Sequence, residues 1–262
     1  MRARKRFGQH FLSDAAVLQR IADAVAVAPD DAVLEIGPGQ GALTDVMLQA
    51  PMARYVAVEI DRDLAPLLRA RYSGTAVPFE LINEDVLRTD FAALLDGEVG
   101  WRVVGNLPYN ISSPLILKLA QVVAAAPERV RDAHFMLQRE MAERLCAEPG
   151  SKAWGRLSVV VQLRFRVEML FDVAPEAFSP PPKVWSAVLR MTPSNEPVPC
   201  DMAILDDVLR RAFSGRRKRL SNALKQLALD WDRLGVDSGV RADDVTSAQF
   251  VEIAQSLGQP SE

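Results

Sequence analysis

The chain has 262 residues, 49% of them hydrophobic, enough to bury a sizeable core as one large domain or two unequal ones. Thirty-one basic against 34 acidic residues give a net charge of −3, which alone argues against a nucleic-acid partner, and no apolar run approaches a membrane span. Cys146 and Cys200 have no paired spacing and only two histidines accompany them, so neither a disulfide framework nor a metal site is expected. The N-terminal MRARKRFGQHFL is basic but lacks the apolar stretch and cleavage site of a secretory signal, and the two unpaired cysteines make a reducing cytoplasm the expected setting.

Helices and strands alternate up to about residue 135. Ser13 or Asp14 can cap a helix carrying Val17, Leu18, Ile21 and Val25 at helical spacing. AVLEIG (32–37) reads as a buried strand, followed by a glycine turn and a helix through LTDVMLQ. YVAVEID (55–61), PFELINED (78–85) and WRVVGN (101–106) read as the second, third and fourth strands, and HFMLQ (134–138) as a fifth. Ser112-Ser113-Pro114 supply the cap and first turn expected of a helix LILKLAQVV. Strands separated by helices make a parallel sheet with right-handed crossovers. Beyond GSKAWGR (150–156), read as a mobile loop, VEMLFDV and SAVLRMT are expected to add an antiparallel pair. Pro193 to Pro199 reads as a linker, and residues 201–258 carry only helical patterns. The expected architecture is α/β: a Rossmann-like, mostly parallel sheet over residues 1–194 and a small all-α domain over 195–262.

Charge distribution says more than net charge. Residues 208–229 hold Arg210, Arg211, Arg216, Arg217, Lys218, Arg219 and Lys225 and no acid, and Arg2, Arg4, Lys5 and Arg6 crowd the N-terminus. Such clusters can bind phosphates even on an acidic chain, or can be no more than a solvated face.

Open α/β sheets place ligands beyond the carboxyl ends of their strands. The first strand ends in Glu35-Ile-Gly37-Pro-Gly39-Gln-Gly41, where glycines let backbone approach a ligand. Glu59 ends the second strand, 22 residues after Gly37, where a carboxylate can take both hydroxyls of a ribose. Glu84-Asp85 ends the third and can accept a proton from an adenine amino group. These features suit any adenosine cofactor; a dinucleotide and S-adenosylmethionine (SAM) both remain open, since the turn also passes the loose GxGxxG/A pattern.

The fourth strand decides between them. It runs into Asn106-Leu107-Pro108-Tyr109. An adenine amine is a poor nucleophile because its lone pair is delocalised into the ring. The amide oxygen of Asn106 and the carbonyl of Leu107, aimed by Pro108, can accept its two hydrogens and favour a pyramidal nitrogen. That is preorganisation, and no titrating base is needed. Tyr109 offers a ring on which a base drawn from its stack would lie.

EIGPGQGALT, VAVEID, GNLPYNISSP, HFMLQRE and FSPPPKVWSAV, in that order, resemble the ribosomal RNA adenine dimethyltransferase family over about residues 4 to 225. They are most similar to its small-subunit branch, which dimethylates two adjacent adenines in the hairpin near the 3′ end of 16S rRNA. The resemblance implies SAM as methyl donor, the small (30S) subunit as partner, a role in ribosome biogenesis, and a monomer. It implies that His10 and Leu12 contact the cofactor together with Gly37, Glu59, Asp85 and Asn106. Phe178 becomes a second ring for the target base, and the helical domain, with Arg216, Arg217, Lys218 and Arg219, faces rRNA. Two departures stand out: His10 where some members have Asn, and Trp185 where members usually have an acidic residue. The related enzyme of large-subunit rRNA, a mainly non-catalytic subunit-assembly factor and a nicotinamide-dependent oxidoreductase are the alternatives. His134 reads as a core or strand-edge histidine, Cys146 as a packed thiol, and Trp101 and Trp154 as packing or loop-anchoring residues.

Overall fold

The computed structural model describes residues 10–95, 97, 100–215 and 217–258. The chain divides into two compact units, one of residues 1–142 and 165–193, the other of residues 143–164 and 194–262.

In the first unit, strands β1 (Phe11–Leu12), β2 (Ala32–Ile36), β3 (Arg54–Val58), β4 (Phe79–Ile82) and β5 (Trp101–Asn106) alternate with helices α1 (Ala15–Val25), α2 (Ala42–Met47), α3 (Leu64–Tyr72) and α4 (Phe91–Leu94). Helix α5 (Tyr109–Ala125) leads to β6 (Val130–Gln138); α6 (Arg139–Leu145) then runs out of this unit and α7 (Arg156–Gln162) belongs to the second, before β7 (Phe165–Val173), β8 (Phe178–Ser179) and β9 (Ser186–Pro193) complete the first. The seven-stranded sheet has the order β4-β3-β2-β5-β6-β9-β7. Its first five strands are parallel, and β9 runs antiparallel to both β6 and β7. The order reverses at β2, with β3 and β4 to one side and β5 and β6 to the other, so a crevice opens beyond the ends of β2 and β5.

The sequence accounts for most of these elements. All five residues of β2 are buried, as a strand covered on both faces requires. Of the two candidate caps, Asp14 holds α1, its side chain accepting from the Ala16 and Val17 N–H groups. Leu18, Ile21 and Val25 then pack against a core that includes Val33, Tyr55, Val104 and Met136.

Three expectations are corrected. Helix α5 starts at Tyr109, not at the Ser-Ser-Pro signal; Pro108 precedes it as cap and Pro114 lies inside. Early in the helix Pro114 forfeits a single backbone bond, and Ser112 Oγ–H donates back to the Tyr109 carbonyl. Residues 150–155 are an anchored loop, because Trp154 is buried and its Nε1–H donates to the Val245 carbonyl at 3.0 Å, and Arg156 already begins α7. The helical unit is also larger than 195–262. Residues 143–164 join it because Ala147, Trp154 and Val159 share a core with Leu205, Leu209 and Phe250.

That second unit is otherwise helical as expected, with α8 (Met202–Ala212), short α9 (Leu220–Ala223) and α10 (Trp231–Leu234), and α11 (Ser247–Gly258). Asp201 caps α8 by accepting from the Ala203 N–H.

One glycine governs how β5 lies on β2. A Cβ on Gly105 would stand 2.6 Å from the Ile36 carbonyl oxygen, a backbone atom that cannot step aside. Gly105→Ala should therefore cost about 1–3 kcal/mol or more by overpacking. Gly74→Ala, where a Cβ would meet open space, should stay within about 0.5 kcal/mol. Denaturant unfolding of both variants checks this; equal stability would show that the close pass of the two strands is not obligatory.

Candidate active site

A cavity of about 970 Å³ opens at the carboxyl ends of β2, β3 and β5. It is built from sequence-distant pieces. Leaving β2, the chain turns through Gly37, whose φ of +68° suits glycine and whose missing side chain leaves open space in the cavity wall. Glu59, just past β3, is 3% exposed, and its two oxygens accept from the Gly39 N–H at 3.0 Å and the Asp61 N–H at 2.8 Å. Burial raises the pKa of Glu59, and those backbone donors oppose the rise. A carboxylate has about four acceptor positions, so each oxygen keeps one for a ligand hydroxyl. Asp85 follows β4 in a turn that its own Oδ1 stabilises by accepting from the Leu87 N–H. It lines the same cavity.

Asn106, the last residue of β5, donates from Nδ2 to the His10 carbonyl at 3.3 Å. That bond turns the amide so that Oδ1 is left as an acceptor, with no other partner among the described residues. The Leu107 N–H is held by the Met136 carbonyl at 3.0 Å, and Pro108, at φ −57° and ψ 142°, turns the chain into α5. Tyr109 is 44% exposed at the first turn of that helix, whereas Leu107 is buried.

Residues 10–12 are drawn in by a ladder that no local pattern announces. β1 pairs antiparallel with β8, Phe11 opposite Ser179 and Leu12 opposite Phe178. His10 Nδ1–H donates to the Pro180 carbonyl at 2.7 Å. The Phe11 ring comes within 3.0 Å of where a Gly39 side chain would begin. His10, Leu12 and Phe178 thus join Gly37, Glu59, Asp85 and residues 106–109 around one cavity.

Some lining residues escaped the sequence reading. Glu35 is buried beneath the glycine turn, where the hydroxyls of Thr44 and Tyr55 both donate to its Oε2. His134 is a core histidine as expected, but it also lines the cavity. Its Nδ1 stands 3.4 Å from Asp132 Oδ1, and neither ring nitrogen has an aligned hydrogen bond among the described residues.

In the helical unit the basic cluster is smaller than its sequence suggests. Asp207, one residue before the acid-free stretch, pairs with both Arg210 and Arg211. Arg217, Lys218 and Arg219 are exposed and form no ion pair among the described residues. Arg216 and the N-terminal cations lie outside the described residues.

Glu35 makes the stability depend on pH in a defined direction. Burial raises its pKa from 4.5 to about 7, against the lowering effect of the Thr44 and Tyr55 hydroxyls. The folded protein therefore holds this proton more tightly than the unfolded chain. The stability that Glu35 contributes is complete below pH 4.5 and lost as pH rises through about 7. The shift corresponds to roughly 3 kcal/mol. Glu35→Gln cannot titrate, and its unfolding free energy should fall less over that window; a pH slope equal to the wild type would contradict the assignment.

A family model described as ribosomal RNA adenine dimethylase matches residues 1–259. The chain is 51% identical over 259 residues to the ribosomal RNA small subunit methyltransferase A of Bordetella pertussis, covering 97% of this chain and 94% of that one. It is 49% identical over 262 residues to the protein of the same name from Pseudomonas aeruginosa, covering 98% and 96%. Among solved structures, a dimethyladenosine transferase from Plasmodium falciparum superposes with a TM-score of 0.78 at 25% identity, covering 95% of this chain and 98% of that one. The 23S rRNA methyltransferase ErmE superposes with a TM-score of 0.70 at 28% identity, covering 95% and 100%. With a family model matched along almost its whole length and half of its residues shared with such relatives, the chain belongs to the ribosomal RNA adenine dimethylase family.

Proposed function

We propose that this chain uses SAM to dimethylate N6 of two adjacent adenines in the 3′-terminal hairpin of 16S rRNA, within the small ribosomal subunit. The observation that carries the reading is the end of β5, where Asn106 is turned by the His10 carbonyl to present Oδ1 inside a cavity that also holds Glu59 and Asp85. Small-subunit rRNA is favoured over large-subunit rRNA by the relatives' names: 51% and 49% identity to small-subunit enzymes, against 28% to ErmE. No helix among the described residues is long and apolar enough to cross a membrane. A cytoplasmic monomer acting during ribosome biogenesis fits a ribosomal substrate.

The cavity fits SAM by its donor set. Glu59 faces the ribose hydroxyls with the acceptor positions its backbone bonds leave over, and Asp85 takes the adenine amino group. Gly37 leaves room for close approach, while His10 and Leu12 close the side made by the β1–β8 ladder. When bound, SAM supplies a methyl on a sulfonium centre, electrophilic without help from a metal.

The protein's part is to hold the nucleophile. Asn106 Oδ1 and the Leu107 carbonyl accept hydrogen bonds from the two hydrogens of the target amine, so the nitrogen becomes pyramidal and its lone pair, withdrawn from conjugation with the ring, points at the methyl. Tyr109 and Phe178 hold the extruded base between rings. After the first transfer one hydrogen remains, and one acceptor suffices for the second. Once methylated the nitrogen is acidic and loses its proton to solvent water, which is why no titrating base needs to touch it. Arg217, Lys218 and Arg219, with Arg216, grip RNA phosphates and release counterions in doing so.

The test is transfer of labelled methyl from SAM to unmethylated small and large subunits, followed by mapping of the modified nucleotides. Label confined to two neighbouring adenines near the 3′ end of small-subunit rRNA is expected. Label in large-subunit rRNA, or binding of small subunits without transfer, would overturn the reading.

A further inference from the structure

Helix α5 carries a single charged residue, Lys118, among neighbouring positions Leu115, Ile116, Leu119 and Ala120 that are buried. Its ammonium reaches the loop between β4 and α4 and donates to three backbone carbonyls there: Leu87 at 2.8 Å, Val86 at 3.4 Å and Thr89. The buried Phe91 ring has its centre 5.1 Å from the same Nζ. An ammonium has three N–H donors and no acceptor, so all of its donors are committed to this one loop.

The turn it holds begins with Asp85. The Asp85 carbonyl accepts from the Arg88 N–H at 2.8 Å and the Thr89 N–H at 3.2 Å, and Asp85 Oδ1 accepts from the Leu87 N–H at 3.0 Å. The N–H groups of the turn thus close on Asp85, while its carbonyls gather on Lys118. Carbonyl dipoles that converge on one point repel each other, and a cation placed among them turns the repulsion into attraction. Water can satisfy loop carbonyls too, but it leaves the chain free to turn, whereas a lysine on a long helix fixes their direction. Asp85 Oδ2 has no partner among the described residues, and Asp85 and Val86 both line the cavity. The atom left for a ligand therefore sits on the turn that Lys118 holds.

We propose that Lys118 is a positioning residue for the cofactor: by gathering the carbonyls of Val86, Leu87 and Thr89, it sets Asp85 Oδ2 against the adenine amino group of SAM. The inference rests on the reading that Asp85 takes that amino group, and it adds what aims the carboxylate. Lys118 does not line the cavity and acts only through the turn. Because α5 starts at Tyr109, one helix carries both the ring offered to the target base and the cation that holds the adenine end of the cofactor site.

Calorimetry of S-adenosylhomocysteine, against its analogue in which purine replaces adenine and the amino group is absent, tests this. Lys118→Met keeps the apolar stem and removes the donors. Its affinity for S-adenosylhomocysteine should fall about tenfold, the effect of one hydrogen bond to a charged group, while its affinity for the purine analogue stays within about twofold of wild type. Lys118→Gln keeps two N–H donors without the charge and should lie between; it carries the same comparison if the apolar side chain unsettles the fold. In an Asp85→Ala background, Lys118→Met should change neither affinity by more than about twofold. Equal losses for the two ligands would make Lys118 a general support of the cavity, and wild-type affinity for both would make it a surface side chain; either result overturns the proposal. A wild type that binds the two ligands equally would show that Asp85 does not take the amino group. That result removes the proposal with its foundation, and the wild-type comparison alone tells it apart from a failure of Lys118.

Discussion

The site depends on how closely β5 can lie against β2. At this point the sheet order reverses, and the two strand ends must be near enough for one ligand to span them yet open enough to admit it. Gly105 meets the first demand, since any side chain there would collide with the Ile36 carbonyl. Gly37 meets the second by leaving its side-chain space empty. Asn106 follows at once, so the residue proposed to aim the amine sits directly after the one that packing requires to be glycine.

Around that seam the polar groups are arranged so that few of them need to titrate. Glu59 carries two backbone N–H donors, which favour its charged form against the burial that opposes it. Glu35 carries two hydroxyl donors and still has its pKa raised to about 7, so the buried acid beneath the glycine turn is a structural strut near neutrality. In the proposed function the acceptors aimed at the target amine are an amide and a backbone carbonyl, neither of which changes charge. Methyl transfer to an exocyclic amine would then be handled by direction and distance, the two properties a parallel strand end supplies best.

Much of this was legible in the sequence because the informative residues lie at strand ends bracketed by glycine, proline and apolar runs. The five parallel strands, the antiparallel pair and the strand-end residues Gly37, Glu59, Asp85 and Asn106 follow from local patterns alone. What was not legible depends on distant partners. A two-residue strand such as β1 has no pattern of its own; it exists because β8 pairs with it, and the Asn106–His10 bond joins residues far apart in the chain. The start of α5 was masked by Pro114, which normally marks a first turn but here sits inside the helix. Residues 143–164 belong with the C-terminal helices because Trp154 finds its cavity there, a fact invisible until Leu205 and Phe250 are placed beside it. The apparent strength of the basic cluster was overstated by a window that stopped one residue short of Asp207.

The central claim is that Asn106 acts by aiming the amine, as the orientation imposed by the His10 carbonyl implies. Single-turnover methylation by Asn106→Ala, with SAM and small subunits both saturating, measures this most directly. Loss of one acceptor that strengthens as the nitrogen gains positive charge should lower the maximal rate by about 10- to 100-fold, while subunit binding, dominated by phosphate contacts, stays close to wild type. A maximal rate equal to the wild type would contradict the account.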